Sequence, residues 1–406
     1  MRFSYVTLLT ALSLLELPNV LGAVTFADPA ELKIRNDKRE LEKLTQKALD
    51  KILTKLDKDE EELKKAGKKA TCTRKTLRYK LEFGSMQKKD RKGYTDAVTC
   101  LQKLKAKTPA AIAPGARGRN DDFVVTHVLQ TPYVHMSGTF LGWHRYYLWV
   151  YEEALRNECG YKGPIPYWDW PKWADAPQDS PLFNGDAYSL GGNGDFIPGH
   201  PGLTLNFGNT TTVLPAGLGG GCVTKGPFKD MVVNLGPVLI GTPGPLPSGL
   251  GYNPRCLKRD VGPAVAMRWS NYTSVLETFK REDIGNFQTF IQGPGTETAT
   301  ESGIGVHGGG HYTISGDPGG DPYVSPGDPG FFLHHAQVDR LWTLWQGLDP
   351  DTRQYALSGT NTMFNEPPSE DTTLDFLINV GYSGGTNLTM REVMSTTKGP
   401  FCYVYL

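Results

Sequence analysis

The chain has 406 residues, 39% of them hydrophobic, with 43 Lys and Arg balanced by 43 Asp and Glu. Neutral overall charge excludes recognition that rests on a basic field, whether of nucleic acid or of an anionic membrane surface, so any partner must be argued from a site. The length suits one large domain or two ordinary ones.

Taken in order, the opening residues MRFSYVTLLTALSLLELPNVLGA carry Arg2, an apolar run from Val6 to Leu15, and the small residues Gly22 and Ala23. That is the pattern of a secretory signal peptide over 1–23, cut after Gly22 or Ala23. No later stretch has the roughly 18 apolar residues of a membrane span. Residues 24–70 read as a charged helical segment. Leu41, Leu44, Ala48, Ile52, Leu56 and Leu63 recur mostly three or four apart, Asp37 with Glu40 fits a capping box, and Gly67 fits a C-terminal cap. The expectation is one long amphipathic helix, or two, laid on the body of the protein.

Helical pattern continues over Arg74–Leu104, Val124–Leu129, Trp143–Asn157, Ala264–Glu277 and Phe331–Gln346. Between about Asp175 and Asn253, Gly and Pro dominate in runs such as GLGGG and GTPGPLPSGLGY. This predicts long loops with at most short strands, covering or serving a site rather than linking domains. Six cysteines in an exported chain suggest three disulfides. Pairing sequence neighbours first gives Cys72–Cys100, Cys222–Cys256 and Cys159–Cys402. Asn209, Asn271 and Asn387 head sequons suited to surface glycans.

Seven of the eight histidines fall in two short regions. His127, His135 and His144 lie in HVLQTPYVHMSGTFLGWH; His307 and His311 lie in HGGGH, followed by the doublet His334–His335. His200 stands apart. Imidazole clusters point to zinc, copper, iron or nickel. Four-residue spacing puts His307 and His311 on one helix face. The zinc-protease motif with this spacing needs a Glu after the first His as general base, and Gly308 stands there. No Glu-x-x-His pair supports a di-iron site, so all-imidazole ligation favours copper or zinc. Three glycines inside a helix each cost on the order of 1 kcal/mol relative to Ala. Either a neighbouring helix approaches closely there or room is kept beside a metal, as at a substrate entrance. His334 and His335 point about 100° apart on a helix and cannot both face one metal. Asp339, one turn beyond His335, is a candidate orienting carboxylate.

These motifs resemble the type 3 copper proteins: tyrosinases, catechol oxidases and haemocyanins. The resemblance runs from about Arg74 to Tyr405 and includes GTFLGWHRYYL, HGGGH, DPGFFLHHAQVDRLWTLWQ, IPYWDW and the closing Tyr403-Val404-Tyr405. The HGGGH form and the histidine spacings are similar to those of short tyrosinases and catechol oxidases of filamentous fungi. The resemblance implies a mainly α fold, a four-helix bundle around a dicopper site with long loops and few short strands, over residues 71–406. It assigns His127, His135 and His144 to one copper ion and His307, His311 and His335 to the other. It leaves His334 and His200 without a ligand role. It places Tyr312 and Pro322 at the entrance and Phe331 beneath the second copper.

The implied activity is oxidation of o-diphenols to o-quinones by O2, with ortho-hydroxylation of monophenols as a second activity. Three departures from relatives bear on this. Tyr133 stands where many relatives carry a thioether-forming cysteine. The chain ends at the tyrosine motif, so a covering C-terminal domain is not expected. Gly308 stands where efficient hydroxylases often have Asn, which leans the protein towards diphenols. Three rival readings are an O2 carrier of the haemocyanin kind, a zinc hydrolase, and a secreted protein that holds metal structurally.

Overall fold

The computed structural model describes residues 29–207, 210–241, 244–293 and 303–406. The signal peptide expected over 1–23 and the sequon residue Asn209 lie outside the described residues.

Four helices carry the seven clustered histidines or hold them at a helix end: α3 (Arg119–Val134), α4 (Phe140–Cys159), α8 (Gly305–Ile314) and α9 (Gly330–Leu348). Around them lie α1 (Pro29–Lys65), α2 (Lys88–Lys103), α5 (Pro263–Trp269), α6 (Tyr272–Phe279) and α7 (Ile284–Gln292). α9 packs on both α4 and α8 and is buried along almost its whole length. A helix apolar on all sides is central to a core, and FFLHHAQVDRLWTLWQ reads that way. Strands are short and paired in twos. No helix among the described residues is long and apolar enough to cross a membrane.

α1 is one helix, and it starts eight residues before the expected capping box. Asp37 is therefore interior and pairs with Lys33 at 2.6 Å. Gly67 does terminate the segment, with φ 68° and the Lys68 N–H bonded to the Leu63 carbonyl. Leu41, Ala48, Leu49 and Leu56 are buried. Gly347 of α9 lets α1 come close, since a Cβ there would stand 2.7 Å from the Ile52 side chain and 2.9 Å from the Ala48 carbonyl oxygen.

The reading of Arg74–Leu104 as helical is corrected over its first half. Arg78–Lys80 is a strand paired in parallel with Tyr403–Tyr405, a single 3-10 turn follows at Phe83–Ser85, and α-helix begins only at Lys88. A strand whose partner lies at the other end of the chain leaves no local periodicity to read. The Ala264–Glu277 helix is two, α5 and α6, because Asn271 breaks it. Its side chain caps α6 by accepting the Ser274 N–H at 2.9 Å. α7, capped by Asp283, was not anticipated. Asp175–Asn253 is loop with short strands, as expected.

The disulfides are Cys72–Cys402, Cys100–Cys159 and Cys222–Cys256. Only the last matches the neighbour-first pairing. The parallel strand pair brings Cys72 to Cys402, and the packing of α2 on α4 brings Cys100 to Cys159.

One buried ion pair ties the bundle together. Arg145 of α4 donates to Asp339 of α9 at 2.6 Å, both side chains almost fully buried. The Arg145 guanidinium also donates to the Met394 carbonyl at 2.8 Å and Thr343 Oγ1 at 3.0 Å, and lies 3.8 Å over the Trp342 ring. The hydroxyls of Tyr403 and Tyr405 donate to the other Asp339 oxygen at 2.7 and 2.6 Å. Burial raises the Asp339 carboxyl, but the charges of Arg145 and Lys80 and the hydrogen bond from Tyr405 outweigh it and hold it below 3.8, its ordinary value. A carboxylate depressed on folding stabilises above its unfolded pKa and loses that contribution as pH falls. Asp339→Asn leaves Arg145 buried without its counter-charge, so denaturant unfolding at pH 7 should show a loss of about 3–5 kcal/mol. The gap to the unaltered protein should narrow as pH drops below 3.8.

Candidate metal centre

α3 delivers His127 from its interior and His135 at its C-terminal cap. The chain then reverses in a turn held by side chains. Met136, at φ 44°, donates its N–H to Gln292 Oε1 at 2.7 Å. The hydroxyls of Ser137 and Thr139 donate to the Tyr133 carbonyl at 2.9 and 2.7 Å. α4 starts at once and presents His144 one turn in. The three rings stand 5.1 to 5.9 Å apart.

Each ring turns Nδ1 to a backbone carbonyl: His127 to Tyr323 at 2.8 Å, His135 to Thr131 at 3.2 Å, and His144 to Phe140 at 2.8 Å. The acceptor dictates the tautomer: Nδ1 carries the proton and Nε2 is left with a free lone pair. For His127 and His144 that Nε2 is buried and meets no protein partner. Orphaned acceptors in a core are costly, and orientation of Nε2 by a bonded Nδ1 is how proteins present imidazole to a metal.

The second group comes from α8 and α9. The Nε2 atoms of His307, His311 and His335 form a triangle with edges of 3.0, 3.1 and 3.3 Å. Three nitrogens that close can share one central cation. The two groups face each other, with the His144 and His335 rings stacked at 4.4 Å and 13°. Phe140 packs between them, 4.7 Å from His144 and 4.9 Å from His307 by ring centroids. Burial pushes all seven clustered imidazoles down, His135 to about 4 and His311 to about 3. Neutral rings, the form that binds metal, therefore line the site.

His335 completes the triangle, whereas the His334 ring lies beside it, 4.3 Å from His311 and 5.2 Å from Trp170. The candidate ligand atoms of His307, His311, His334 and His335 nevertheless all lie within 4.8 Å of one another, as do those of the first three histidines among themselves. His200 is in neither group; it stands 3.3 Å from the Asp260 carboxylate.

Phe331 lies against His335 at 4.2 Å and also against His127 at 5.2 Å, so it floors both groups. Asp339 does not orient His335, because Arg145, Tyr403 and Tyr405 take its oxygens. Tyr312 is not at an opening; it is buried among Leu205, Leu214, Val265, Trp269 and Ile304. Pro322 is half-buried in the loop whose Tyr323 carbonyl orients His127. Sequence reasoning missed Phe140 and Arg145. Both were marked in GTFLGWHR, Phe140 by its place four residues before His144 on the same helix face, and Arg145 as a charge inside an aromatic run.

Residues 117–348, more than half the chain, match the common central domain of tyrosinase. The chain belongs to the tyrosinase family. It is 37% identical to Tyrosinase P of Aspergillus terreus over 335 residues, 80% of this chain and 90% of that one. It is also 37% identical to the N-acetyl-6-hydroxytryptophan oxidase ivoB of Emericella nidulans, over 82% of this chain and 93% of that one. Among solved structures, a polyphenol oxidase variant from Thermothelomyces thermophila superposes with a TM-score of 0.86 at 48% identity, covering 91% of this chain and 98% of that one. Tyrosinase-family enzymes hold two copper ions and act on phenols with O2. The residues of this member fit that group: two facing sets of neutral imidazoles, with unclaimed Nε2 atoms on His127 and His144 in one and three converging Nε2 atoms in the other, and no carboxylate in either set among the described residues.

Close approach, rather than an entrance, explains two of the three glycines of HGGGH. A Cβ on Gly309 would stand 2.3 Å from Ser270 Oγ, and one on Gly310 would stand 2.2 Å from His334 Nδ1. A Cβ on Gly308 would meet only the Ile304 side chain, at 3.0 Å and beyond. Gly310→Ala should therefore destabilise by about 1–3 kcal/mol through overpacking. In Gly308→Ala, the gain in helix propensity of about 1 kcal/mol should offset most of the crowding. Equal denaturation midpoints for the two variants would refute this packing.

Proposed function

We propose that this protein is a secreted dicopper polyphenol oxidase that converts o-diphenols to o-quinones with O2, with ortho-hydroxylation of monophenols as a lesser activity. The observation that carries this reading is the pair of facing imidazole groups, with every Nδ1 of the first group bonded to a carbonyl. His127, His135 and His144 would hold one copper, and His307, His311 and His335 the other. When bound, copper supplies the redox chemistry that passes two electrons from each of two diphenols to one O2, giving two quinones and two waters.

The protein's own part is geometry and access. Tyr323, Thr131 and Phe140 fix three ring orientations through their carbonyls. Phe140 and Phe331 keep the space between and beneath the groups apolar and dry, which strengthens every charge interaction inside. His135 and His311 keep a partly accessible edge, and Tyr133, two residues before His135, is 49% exposed. A flat phenol ring would approach on this side, past the loop that carries Pro322.

Preference for diphenols follows from what stands beside His307. Hydroxylation of a monophenol starts from the phenolate, so a proton must be accepted at the site. Gly308 offers no side chain, and Ile304, which faces it, is apolar. Export is supported by three disulfides, which suit an oxidising compartment. Asn387 is exposed and suited to a glycan, whereas Asn271 is already committed to capping α6.

Copper-loaded protein should consume O2 with o-diphenols much faster than with the matching monophenols. Binding of O2 without turnover would instead mark a carrier, and two zinc ions per purified chain with no uptake would mark a hydrolase. Gly308→Asn should raise the monophenol rate relative to the diphenol rate; an unchanged ratio would remove the role given to this position. His144→Ala should halve the copper content and abolish uptake of O2.

A further inference from the structure

Leu239 is 63% exposed, yet the backbone around it is firmly held. Val238, Leu239 and Ile240 turn three successive N–H groups onto one oxygen of the buried Asp321 carboxylate, at 2.8, 2.8 and 3.1 Å. The Tyr323 N–H donates to its other oxygen at 2.9 Å. Hydrogen bonds to a carboxylate are the strong kind. With the amides turned inward, the side chains face elsewhere. Val238 packs against the cluster that holds Val124 and Val128 of α3, the helix of His127. Ile240 packs against the cluster of Trp269, Ile304 and Tyr312, and Ile304 faces Gly308, next to His307. The segment therefore reaches from the wall of one histidine group to the wall of the other. It runs beside Pro322, on the side where the phenol ring approaches. Leu239 stands at mid-span with its side chain in the open. An exposed leucine on a surface needs no explanation, but this one is held in place by a buried carboxylate at the edge of the site.

Charge at this rim points the same way. Neither 236–241 nor 318–324 carries a charged side chain other than Asp321, and four N–H groups already occupy that carboxylate. An ammonium or carboxylate on a substrate tail would shed water here and find no counter-charge. We propose that Leu239 is a specificity-determining residue, and that the favoured substrates are o-diphenols whose tail at position 4 is apolar and uncharged. This rests on the diphenol oxidase reading above. Leu239 meets the tail and not the reacting hydroxyls, so it acts on KM and leaves kcat alone.

Copper-loaded protein should give a KM for 4-butylcatechol about three- to tenfold below that for dopamine, whose tail ends in an ammonium; a half-open contact discriminates less than an enclosed pocket. Leu239→Glu should reverse that order, leave kcat for unsubstituted catechol unchanged, and lose the reversal in high salt, as a surface charge does. Leu239 is exposed, so the variant keeps the fold, which an unchanged denaturation midpoint checks. Calorimetry with resorcinol and 4-hexylresorcinol, whose 1,3-hydroxyls form no o-quinone, reads the tail contact without turnover. The hexyl tail should tighten binding to the unaltered protein at least threefold more than to Leu239→Glu. The same KM ratio in both proteins, a preference of the unaltered protein for dopamine, or an equal gain from the hexyl tail would overturn the proposal. No uptake of O2 with unsubstituted catechol would take down the diphenol oxidase reading itself, and this proposal with it. Uptake with no effect of position 239 would take down this proposal alone.

Discussion

The facing of His144 and His335 rests on the contact between Arg145 and Asp339. Arg145 follows His144 directly, and Asp339 lies one turn beyond His335, so this ion pair locks together the two helices that present the facing rings. Its desolvation is large, and a buried pair is stabilising only if its remaining donors and acceptors are filled. They are filled from far away in sequence: Met394 and Thr343 take guanidinium protons, and Tyr403 and Tyr405 supply hydroxyls to the carboxylate. The closing strand is therefore part of the framework of the site, although it touches no histidine ligand. Its pairing with Arg78–Lys80 and the Cys72–Cys402 disulfide hold that strand in place.

A second framework acts from the loop side. Arg259 and Asp328 pair fully buried at 2.7 Å, and Asp328 also accepts the Gly330 N–H at the start of α9. Asp321 accepts the N–H groups of Val238, Leu239 and Ile240. The Gly- and Pro-rich segment is thereby pinned to the loop whose Tyr323 carbonyl orients His127. A stretch that looks like slack chain in composition serves to fix one ring, which is a reason for a long ordered loop to persist.

The glycines of HGGGH show how a correct observation can carry two explanations. Their cost to the helix signals that something is gained there, and both close packing and open space were available as causes. Contacts decide position by position: Ser270 and Trp269 crowd Gly309, the His334 ring crowds Gly310, and Gly308 is the least crowded, facing only the Ile304 side chain. The position that follows His307 is thus the one of the three where a side chain costs the fold least.

Sequence by itself determined the ligand types, the two histidine regions, the mainly helical class and the long loops, because these depend on residue identity and short-range spacing. The choice of His335 over His334 was legible only through resemblance, since both sit in one apolar helix with no periodic signal between them. Tertiary structure alone decided the partners of Asp339, the inward burial of Tyr312, the disulfides Cys72–Cys402 and Cys100–Cys159, and the strand at Arg78–Lys80. Each of these is a contact between residues distant in the chain, and local pattern carries no information about which distant group arrives. Chemistry singled out the seven clustered histidines as metal candidates; the distances between them were set by packing.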